Sequence, residues 1–249
     1  MLLACHGLSC PGRLAPLDLA LARGEWVHLV GANGAGKSTL LEALSGLATP
    51  RGELLLNGTA VAALSGEALA QQRGWLPQQQ PAPGAMPVWH YLQMHLPRGA
   101  GTELNNVLAR LLSQLSLHHK LEIALTQLSG GEWQRVRLLA VILQIHPDIN
   151  PQGSLLLLDE PMSALDVAQQ QGVTRLLQQL CAAGIGVITS SHDLNHTLRY
   201  ADRVWLLHQG ELKYQGRAHE VLTAARLAPL FQTEVTEVDT PQGRLLLLS

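Results

Sequence analysis

A glycine-rich loop between a buried strand and a helix constrains the fold of this chain more than any other feature. The segment EWVHLVGANGAGKSTLLEALSGL (25–47) predicts an apolar strand, a loop and a helix. Its loop, GANGAGKST, matches the pattern G-x-x-x-x-G-K-[ST] in the required context, after a strand and before a helix. Backbone N–H groups of such a loop surround phosphate oxygens, and the helix start favours negative charge. The sequence therefore predicts a phosphate-binding loop.

The residue types in this loop indicate how it would hold a nucleotide. The glycines let the backbone N–H groups turn toward the phosphates, Lys37 reaches the outer phosphates, and Ser38 offers a hydroxyl to Mg²⁺. The predicted nucleotide-binding residues of the loop are Gly31, Ala32, Asn33, Gly34, Ala35, Gly36, Lys37, Ser38 and Thr39.

A second apolar strand ends in two acids. The stretch SLLLLDEP (154–161) is typical of a central parallel strand, whose carboxyl end lies where ligands bind in such sheets. Asp159 is predicted to hold Mg²⁺ through its water shell. Glu160, the next residue, is placed to orient or deprotonate an attacking water molecule.

The segment LSGGEWQ (128–134) predicts another helix start that suits an anion. Ser129 and Glu132 fit the capping box, in which two side chains satisfy free backbone N–H groups. The glycines between them leave the helix start open to an anion. One chain therefore carries two phosphate-binding elements, which a single nucleotide site does not explain.

The order of predicted elements favours a doubly wound α/β core of the P-loop type, because strands and helices alternate around the glycine-rich loop. A short strand between glycines (52–58) indicates a small antiparallel β subdomain. We expect a single domain, 1–249, with a nucleotide-binding core at about 1–78 and 151–216. An inserted helical subdomain is expected at about 79–150 and a C-terminal tail at 217–249.

Composition narrows the classes of partner. The net charge of −2 and the dispersed arginines predict no nucleic-acid partner. Three cysteines without metal spacing predict free thiols in a reducing compartment. We expect no signal peptide, and no apolar run approaches the roughly 20 residues of a membrane span. The chain is therefore expected to be a soluble cytoplasmic protein that reaches a membrane only through a partner.

The motif order identifies a family. A P-loop, LSGGE, LLLLDEP, SALD and SSHD, in that order, resembles the ATP-binding subunits of ABC transporters over residues 24–216. The resemblance implies ATP and Mg²⁺ as cofactors. It also implies a head-to-tail pair of subunits, in which Ser129, Gly130 and Gly131 of one copy cap the γ-phosphate held by the P-loop of the other. That arrangement accounts for two phosphate-binding elements in one chain.

Further roles follow from the same resemblance. Gln78, in WLPQ, resembles the glutamine that touches Mg²⁺ and the attacking water. His192, in SSHD, resembles the switch histidine that bonds the γ-phosphate, and Asp166, in SALD, resembles the acid that crosses the dimer interface. The implied Mg²⁺ ligands are Ser38, Gln78 and Asp159, and the implied catalytic residues are Glu160, His192 and Gln78.

Two departures from the family pattern stand out. Glu132 occupies the usual glutamine position of the LSGGQ-type element, a common variant that keeps the capping box. No aromatic residue precedes Trp26, so the usual stacking partner of adenine is missing. Arg13 is a candidate to lie over the base as a flat cation, and discrimination between bases is expected to be weak.

Segments outside the motifs indicate a branch of the family. The stretches PAPGAMPVWHYL, QLSGGEWQRVRL, NPQGSLLLLDEPM and SSHDLNHTLRYAD resemble the ATPases of bacterial vitamin B12 (cobalamin) importers, and iron-siderophore and haem importers share parts of them. The implied assembly is two copies on two membrane permease subunits, fed by a periplasmic binding protein. The chain would then lie peripherally on the cytoplasmic face of the bacterial inner membrane.

We expect residues 79–95 to contact the permease, through Trp89 and Tyr91 as exposed anchors. The alternative is that both aromatic residues belong to the core of the helical subdomain.

Two other functions stay open at the sequence level. A non-transport ABC ATPase acting on DNA or ribosomes would usually carry two nucleotide modules and a basic surface, which this sequence lacks. A small-molecule P-loop kinase would lack LSGGE and would need a pocket for a phosphoryl acceptor. Co-purification with a membrane subunit and hydrolysis without an acceptor would separate these functions from import.

Overall fold

The computed structural model describes residues 1–99, 101–241 and 243–248. The chain forms two compact units: unit 1 contains residues 1–62 and 188–249, and unit 2 contains residues 63–187. The boundaries expected for the core, the helical subdomain and the tail remain predictions. Among the described residues, no helix is both long and apolar enough to cross a membrane.

The described residues form strands and helices in alternation. The strands are β1 (Leu3–Cys10), β2 (Leu14–Leu21), β3 (Trp26–Val30), β4 (Arg51–Leu56), β5 (Thr59–Ala60), β6 (Arg73–Leu76), β7 (Leu155–Leu158), β8 (Gly186–Ser191), β9 (Arg203–His208), β10 (Glu211–Arg217), β11 (Val235–Thr240) and β12 (Gly243–Leu248). The helices are α1 (Lys37–Leu44), α2 (Gly66–Gln72), α3 (Val88–Gln93), α4 (Leu104–Gln114), α5 (Gly130–Ile145), α6 (Val167–Ala182), α7 (Leu194–Tyr200), α8 (Ala218–Val221) and α9 (Ala224–Phe231).

Unit 1 contains the strand that precedes the glycine-rich loop. Every residue of β3 is buried, and β3 pairs in parallel with β9, with Val30 opposite Leu206. The strands of this sheet in unit 1 follow the order β10-β9-β3-β8. A continuous apolar run is what a strand covered on both faces requires. The glycine-rich loop therefore starts at the carboxyl end of a fully buried parallel strand.

The first residues of the chain form two strands that the sequence did not predict. They belong to an antiparallel sheet of order β2-β1-β4-β5. Strand β2 alternates buried and exposed positions, with Leu17, Leu19 and Leu21 inside. The register of β1 shifts between Cys5 and Leu8, where Gly7 has a φ of 58°. A bulge of this kind interrupts the two-residue period by which a strand is predicted from sequence.

The C-terminal residues pack on unit 1. Leu227 of α9 and Leu246 of β12 are buried in one cluster with Val30 and Leu206, at the end of the central strands. Asn195 fixes β12, because its side chain both accepts from the backbone N–H of Leu246 and donates to the Leu246 carbonyl. The tail is therefore part of the core that supports the glycine-rich loop.

Unit 2 places a parallel strand pair beside a long helix. Strands β6 and β7 pair in register from Arg73 opposite Leu155 to Leu76 opposite Leu158. Helix α5 packs on β6 and β7 and is buried along most of its length, although it contains the polar residues Gln134 and Arg137.

Candidate nucleotide-binding site

The glycine-rich loop of unit 1 has the geometry of a phosphate cradle. Gly34 and Gly36 adopt φ values of 78° and 102°, which side chains disfavour. At Gly31, a β-carbon would lie 2.4 Å from the carbonyl oxygen of Leu207. No side chain caps the N-terminus of α1 at Gly36, and the start of a helix favours an anion. These features fit the polyphosphate of a nucleotide.

Lys37 closes the loop from within. Its Nζ donates to the carbonyls of Gly31 at 2.8 Å and Ala32 at 3.1 Å, and the residue is buried. The next residue, Ser38, is exposed, so its hydroxyl is accessible to a metal ion. The loop thus presents a buried cation and an accessible hydroxyl in consecutive positions, and their roles toward phosphate and Mg²⁺ stay predictions.

Two other parts of unit 1 adjoin the loop. Gly210 donates its N–H to the carbonyl of Ala35 at 3.0 Å and accepts from the N–H of Ala15 at 2.8 Å. The carbonyl of Arg13 lies 3.5 Å from the place of a β-carbon on Gly36, and the Arg13 side chain is exposed. The candidate for the adenine contact, Arg13, therefore lies beside the loop.

His192, the predicted switch histidine, directly follows β8 and is exposed. The next residue, Asp193, caps α7.

Unit 2 brings the acidic strand end and Gln78 to one edge. Because Leu76 pairs with Leu158, the residues that follow β6 and β7 leave the sheet side by side. The N–H of Asp159 donates to the carbonyl of Leu76 at 2.9 Å. Asp159 is buried, whereas Gln78, two residues after the end of β6, is exposed. Glu160 adopts a φ of 48°, in the left-handed region that a residue with a β-carbon rarely occupies.

The predicted capping box at the start of α5 is confirmed. The hydroxyl of Ser129 accepts from the Glu132 N–H at 3.3 Å, and the Glu132 carboxylate accepts from the Ser129 N–H at 2.9 Å. The hydroxyl proton of Ser129 is not used by this bond, so it can be donated to an anion. Ser129 and Gly130 are exposed. A β-carbon on Gly130 would meet nothing within 4 Å, whereas one on Gly131 would lie 2.7 Å from the carbonyl oxygen of Ala164.

Glu132 has a cationic partner that sequence reasoning missed. Lys120 Nζ lies 2.7 Å from its carboxylate. The bond from Lys120, followed by the bond from the Ser129 N–H, lowers the pKa of Glu132 to about 2 from 4.5. Because the folded pKa is the lower one, the stabilisation is present above pH 4.5 and is lost as the pH falls toward 2. The pair neutralises the carboxylate that stands where the family usually has a neutral glutamine.

Asp166 also starts a helix. Its carboxylate accepts from the Gln169 N–H at 2.8 Å, and the Gln169 side chain accepts from the Asp166 N–H at 3.3 Å. The residue is exposed. Within one copy it caps α6, and it remains accessible to a second molecule.

Comparison with known proteins decides the family. The family described as "ABC transporter" matches residues 14–163, which include the glycine-rich loop, the Ser129 helix start and the acid pair. The match covers more than half of the chain. The chain belongs to the ABC transporter family.

Relatives and solved structures agree with this membership. The vitamin B12 import ATP-binding protein BtuD of Citrobacter koseri is 52% identical over 235 residues, covering 94% of this chain and 93% of the relative. The protein of the same name from Salmonella heidelberg is 52% identical over 238 residues, covering 95% and 94%. An ATP-binding subunit of an ABC transporter has a TM-score of 0.81 at 27% identity, covering 93% of this chain and 98% of that one. A metal-chelate type ABC transporter in an inward-facing conformation has a TM-score of 0.76 at 25% identity, covering 100% and 96%. The predicted ABC-type α/β fold is confirmed.

The docking prediction needs one correction. Tyr91, expected to be an exposed anchor, is only 2% exposed. Its ring packs 5.0 Å from the ring of Trp133, on the first turns of α5. Helical spacing explains the difference, because Val88 and Tyr91 lie on the same face of α3, which is buried. Trp89 is half-buried.

Like Lys120, Gly210 was not singled out from the sequence, although it packs against the glycine-rich loop. Its φ is 77°, and a β-carbon there would lie 2.5 Å from the Arg13 carbonyl oxygen. The substitution Gly210→Ala is expected to cost roughly 1–3 kcal/mol more than Gly12→Ala, because only Gly210 is enclosed by backbone. The control has a φ of 74° and nothing within 4 Å of its β-carbon. Thermal unfolding of both variants measures the difference, and equal melting temperatures would contradict it.

The Lys120–Glu132 pair predicts a rescue. Lys120→Met leaves an uncompensated carboxylate at the helix start that is predicted to bind phosphate, so hydrolysis at low ATP is expected to fall about fivefold, the equivalent of ~1 kcal/mol for an accessible ion pair. Adding Glu132→Gln removes the charge and is expected to restore activity. Steady-state hydrolysis of both variants measures this. A double variant as impaired as Lys120→Met alone would show that the charge of Glu132 is irrelevant.

Proposed function

We propose that this chain is the ATP-hydrolysing subunit of a bacterial importer of vitamin B12. The observation that carries the proposal is the 52% identity to vitamin B12 import ATP-binding proteins over 94% of the chain, well beyond the 14–163 that the family shares. An iron-siderophore or haem importer is the alternative, because those importers share parts of the same motifs.

ATP hydrolysis is assigned to the residues that the motifs predict. The glycine-rich loop binds the phosphates, with Lys37 as their cation. Glu160 orients or deprotonates the attacking water, and His192 bonds the γ-phosphate. Bound Mg²⁺ would neutralise phosphate charge, and its proposed ligands are Ser38, Gln78 and Asp159. The exposed hydroxyl of Ser38 and the buried carboxylate of Asp159 at a strand end support this assignment, since Mg²⁺ prefers oxygen ligands.

The proposed working form is a head-to-tail pair of copies on two permease subunits. The helix start at Ser129, Gly130 and Gly131 of one copy, where Ser129 and Gly130 are exposed, would cap the ATP held by the other. Exposed Asp166 would cross between copies. A periplasmic binding protein would supply the vitamin from the other side of the inner membrane. The chain itself would lie on the cytoplasmic face and would not touch the vitamin.

Uptake into vesicles tests the function. Vesicles that contain the permease subunits and this chain, supplied with the binding protein and Mg-ATP inside, are expected to accumulate labelled cobalamin. Parallel vesicles with Lys37→Ala should not, because the loop loses its cation. Uptake of a labelled siderophore in place of cobalamin would support the alternative importer, and uptake of neither would contradict both.

Residues 79–95 are proposed as the permease contact, now with Trp89 rather than Tyr91 as the aromatic anchor. The indole of Trp89 lies 3.7 Å from the ring of exposed His90, and Met94 near the end of the segment is 64% exposed. The substitution Trp89→Ala is expected to reduce co-purification with the permease tenfold or more, a loss of about 1.4 kcal/mol or greater. Leu47→Ala, at an exposed apolar residue of unit 1, is the control. Equal recovery of both variants with the permease would contradict this contact surface.

A further inference from the structure

Two buried polar side chains of α5 join the backbone at the two strand ends of unit 2. Arg137 donates from one guanidinium nitrogen to the carbonyl of Pro77, and from the other to the side-chain oxygen of Gln134 at 2.9 Å. The Gln134 amide nitrogen donates in turn to the carbonyls of Glu160 at 3.4 Å and Pro161 at 3.3 Å. We call this chain of bonds the Gln134–Arg137 bridge.

The two ends of the bridge lie beside Gln78 and at Glu160, the residues that contact the attacking water in the proposed function. Pro77 immediately precedes Gln78, and the other end is the carbonyl of Glu160 itself. A further bond from α5 holds the far side of the same loop, because the Trp133 indole donates to the carbonyl of Gln80 at 2.8 Å. The backbone on both sides of Gln78 is thus attached to the helix that begins at Ser129.

The buried charge of Arg137 is costly and calls for a reason. Arg137 is 3% exposed and Gln134 is 5% exposed. Burial lowers the pKa of the Arg137 guanidinium, which means that the site disfavours its charge. Among the described residues, its Nε has no hydrogen-bond partner. An apolar side chain of similar size would avoid this cost, so packing alone does not explain an arginine here.

We propose that Gln134 and Arg137 are positioning residues, which fix the peptide groups of Gln78 and Glu160 relative to α5 so that both side chains address the same water molecule. The inference rests on the proposed hydrolytic role of Glu160. Neither bridge residue touches the nucleotide; each acts through the backbone of a residue that does. The left-handed backbone of Glu160 makes such support necessary, because a disfavoured conformation persists only when its surroundings hold it.

The structure supplies a matched control on the same helix. The Gln144 amide also donates to two backbone carbonyls, those of Ala70 at 2.6 Å and Arg73 at 3.2 Å. Arg73 lies at the opposite end of β6 from Gln78, and Ala70 belongs to α2, the helix that precedes that end. Gln134→Leu and Gln144→Leu therefore remove the same chemistry from the same helix, and only the first removes the bond from α5 to the Glu160 carbonyl, which Ser163 continues to hold within its own loop.

The expected result is a difference in turnover without a difference in binding. Gln134→Leu is expected to lower kcat between about tenfold and a hundredfold, the scale of a small misplacement of catalytic groups, with the Kd for ATP unchanged. Gln144→Leu should leave kcat near the parent value, although both variants lose thermal stability. An equal effect of the two variants on kcat would mean that the bridge is merely structural and would overturn the proposal.

Arg137 gives an independent readout. Arg137→Met is expected to lower kcat as Gln134→Leu does, and the double variant should be no slower than either single variant, because both break one chain of bonds. Arg137→Lys keeps a donor that reaches one of the two partners and should recover part of the rate. Additive losses in the double variant would contradict a shared bridge.

One more variant separates this inference from the proposed function. Single-turnover hydrolysis by Glu160→Gln is expected to be slow and insensitive to the addition of Gln134→Leu. If Glu160→Gln hydrolyses ATP at the parent rate, the role of Glu160 is wrong. If it is slow but Gln134→Leu alone is fast, the role of Glu160 stands and the bridge is wrong.

Discussion

Glu160→Gln is expected to lower ATP hydrolysis by about a hundredfold or more, the scale on which loss of a general base acts. The amide keeps the size of the side chain but neither accepts a proton nor orients water as a carboxylate does. ATP should still bind, because the glycine-rich loop and Lys37 belong to unit 1 and are unchanged. With its γ-phosphate intact, ATP is expected to hold two copies together, at least on the permease, which size measurement with and without Mg-ATP detects.

The matched control is Glu122→Gln, the same change at an exposed glutamate of the same unit. It should leave both hydrolysis and size unchanged. Hydrolysis by Glu160→Gln within a fewfold of the parent rate would remove Glu160 from the reaction. Slow hydrolysis without any ATP-dependent dimer would leave Glu160 in place but would contradict the head-to-tail pair.

Gly130→Asp is expected to abolish the dimer that Glu160→Gln traps. At about 4 Å two like charges repel by ~4 kcal/mol near a protein surface, which corresponds to a dimer roughly a thousandfold weaker. The fold should accept the change, since a β-carbon on Gly130 meets nothing within 4 Å. Gly131 is unsuitable for this test, because a β-carbon there would press on the Ala164 carbonyl of the same chain.

A similar helix start in the same unit provides the control. Ser65 caps α2 by accepting from the Ala68 N–H, and Gly66, the next residue, also has nothing within 4 Å of a β-carbon. Gly66→Asp therefore places the same charge at the same position of a capped helix. It should leave the trapped dimer intact. A dimer that survives Gly130→Asp would show that Ser129 and Glu132 form only a helix cap.

Features that depend on neighbouring residues were predicted correctly from sequence. The capping box at Ser129 and the glycine-rich loop between β3 and α1 are each set by a few consecutive residues, and the structure shows both. Contacts between side chains that lie far apart in the sequence were not predicted. Lys120 meets Glu132 across the connection between α4 and α5, and no residue pattern encodes that approach.

The buried face of a helix was harder still to predict. In α5, Gln134 and Arg137 are three residues apart, which places them on one face. Polar residues on a helix usually indicate a solvated face, whereas these are buried against Pro77 and Glu160. The prediction for Tyr91 is wrong in the opposite sense: an exposed side chain was expected, but the ring is buried because it packs against Trp133 of α5. Periodicity describes a helix but not what covers it.

The left-handed backbone of Glu160 has a consequence for protein engineering. Holding a residue with a β-carbon in that conformation costs about 1–2 kcal/mol, which glycine would avoid. Glu160→Gly should therefore lose hydrolysis while losing little heat resistance, or even gaining some. A laboratory selection for thermal stability alone would therefore enrich the inactive Glu160→Gly variant. Selection for transport activity would retain Glu160 despite the cost of its left-handed backbone.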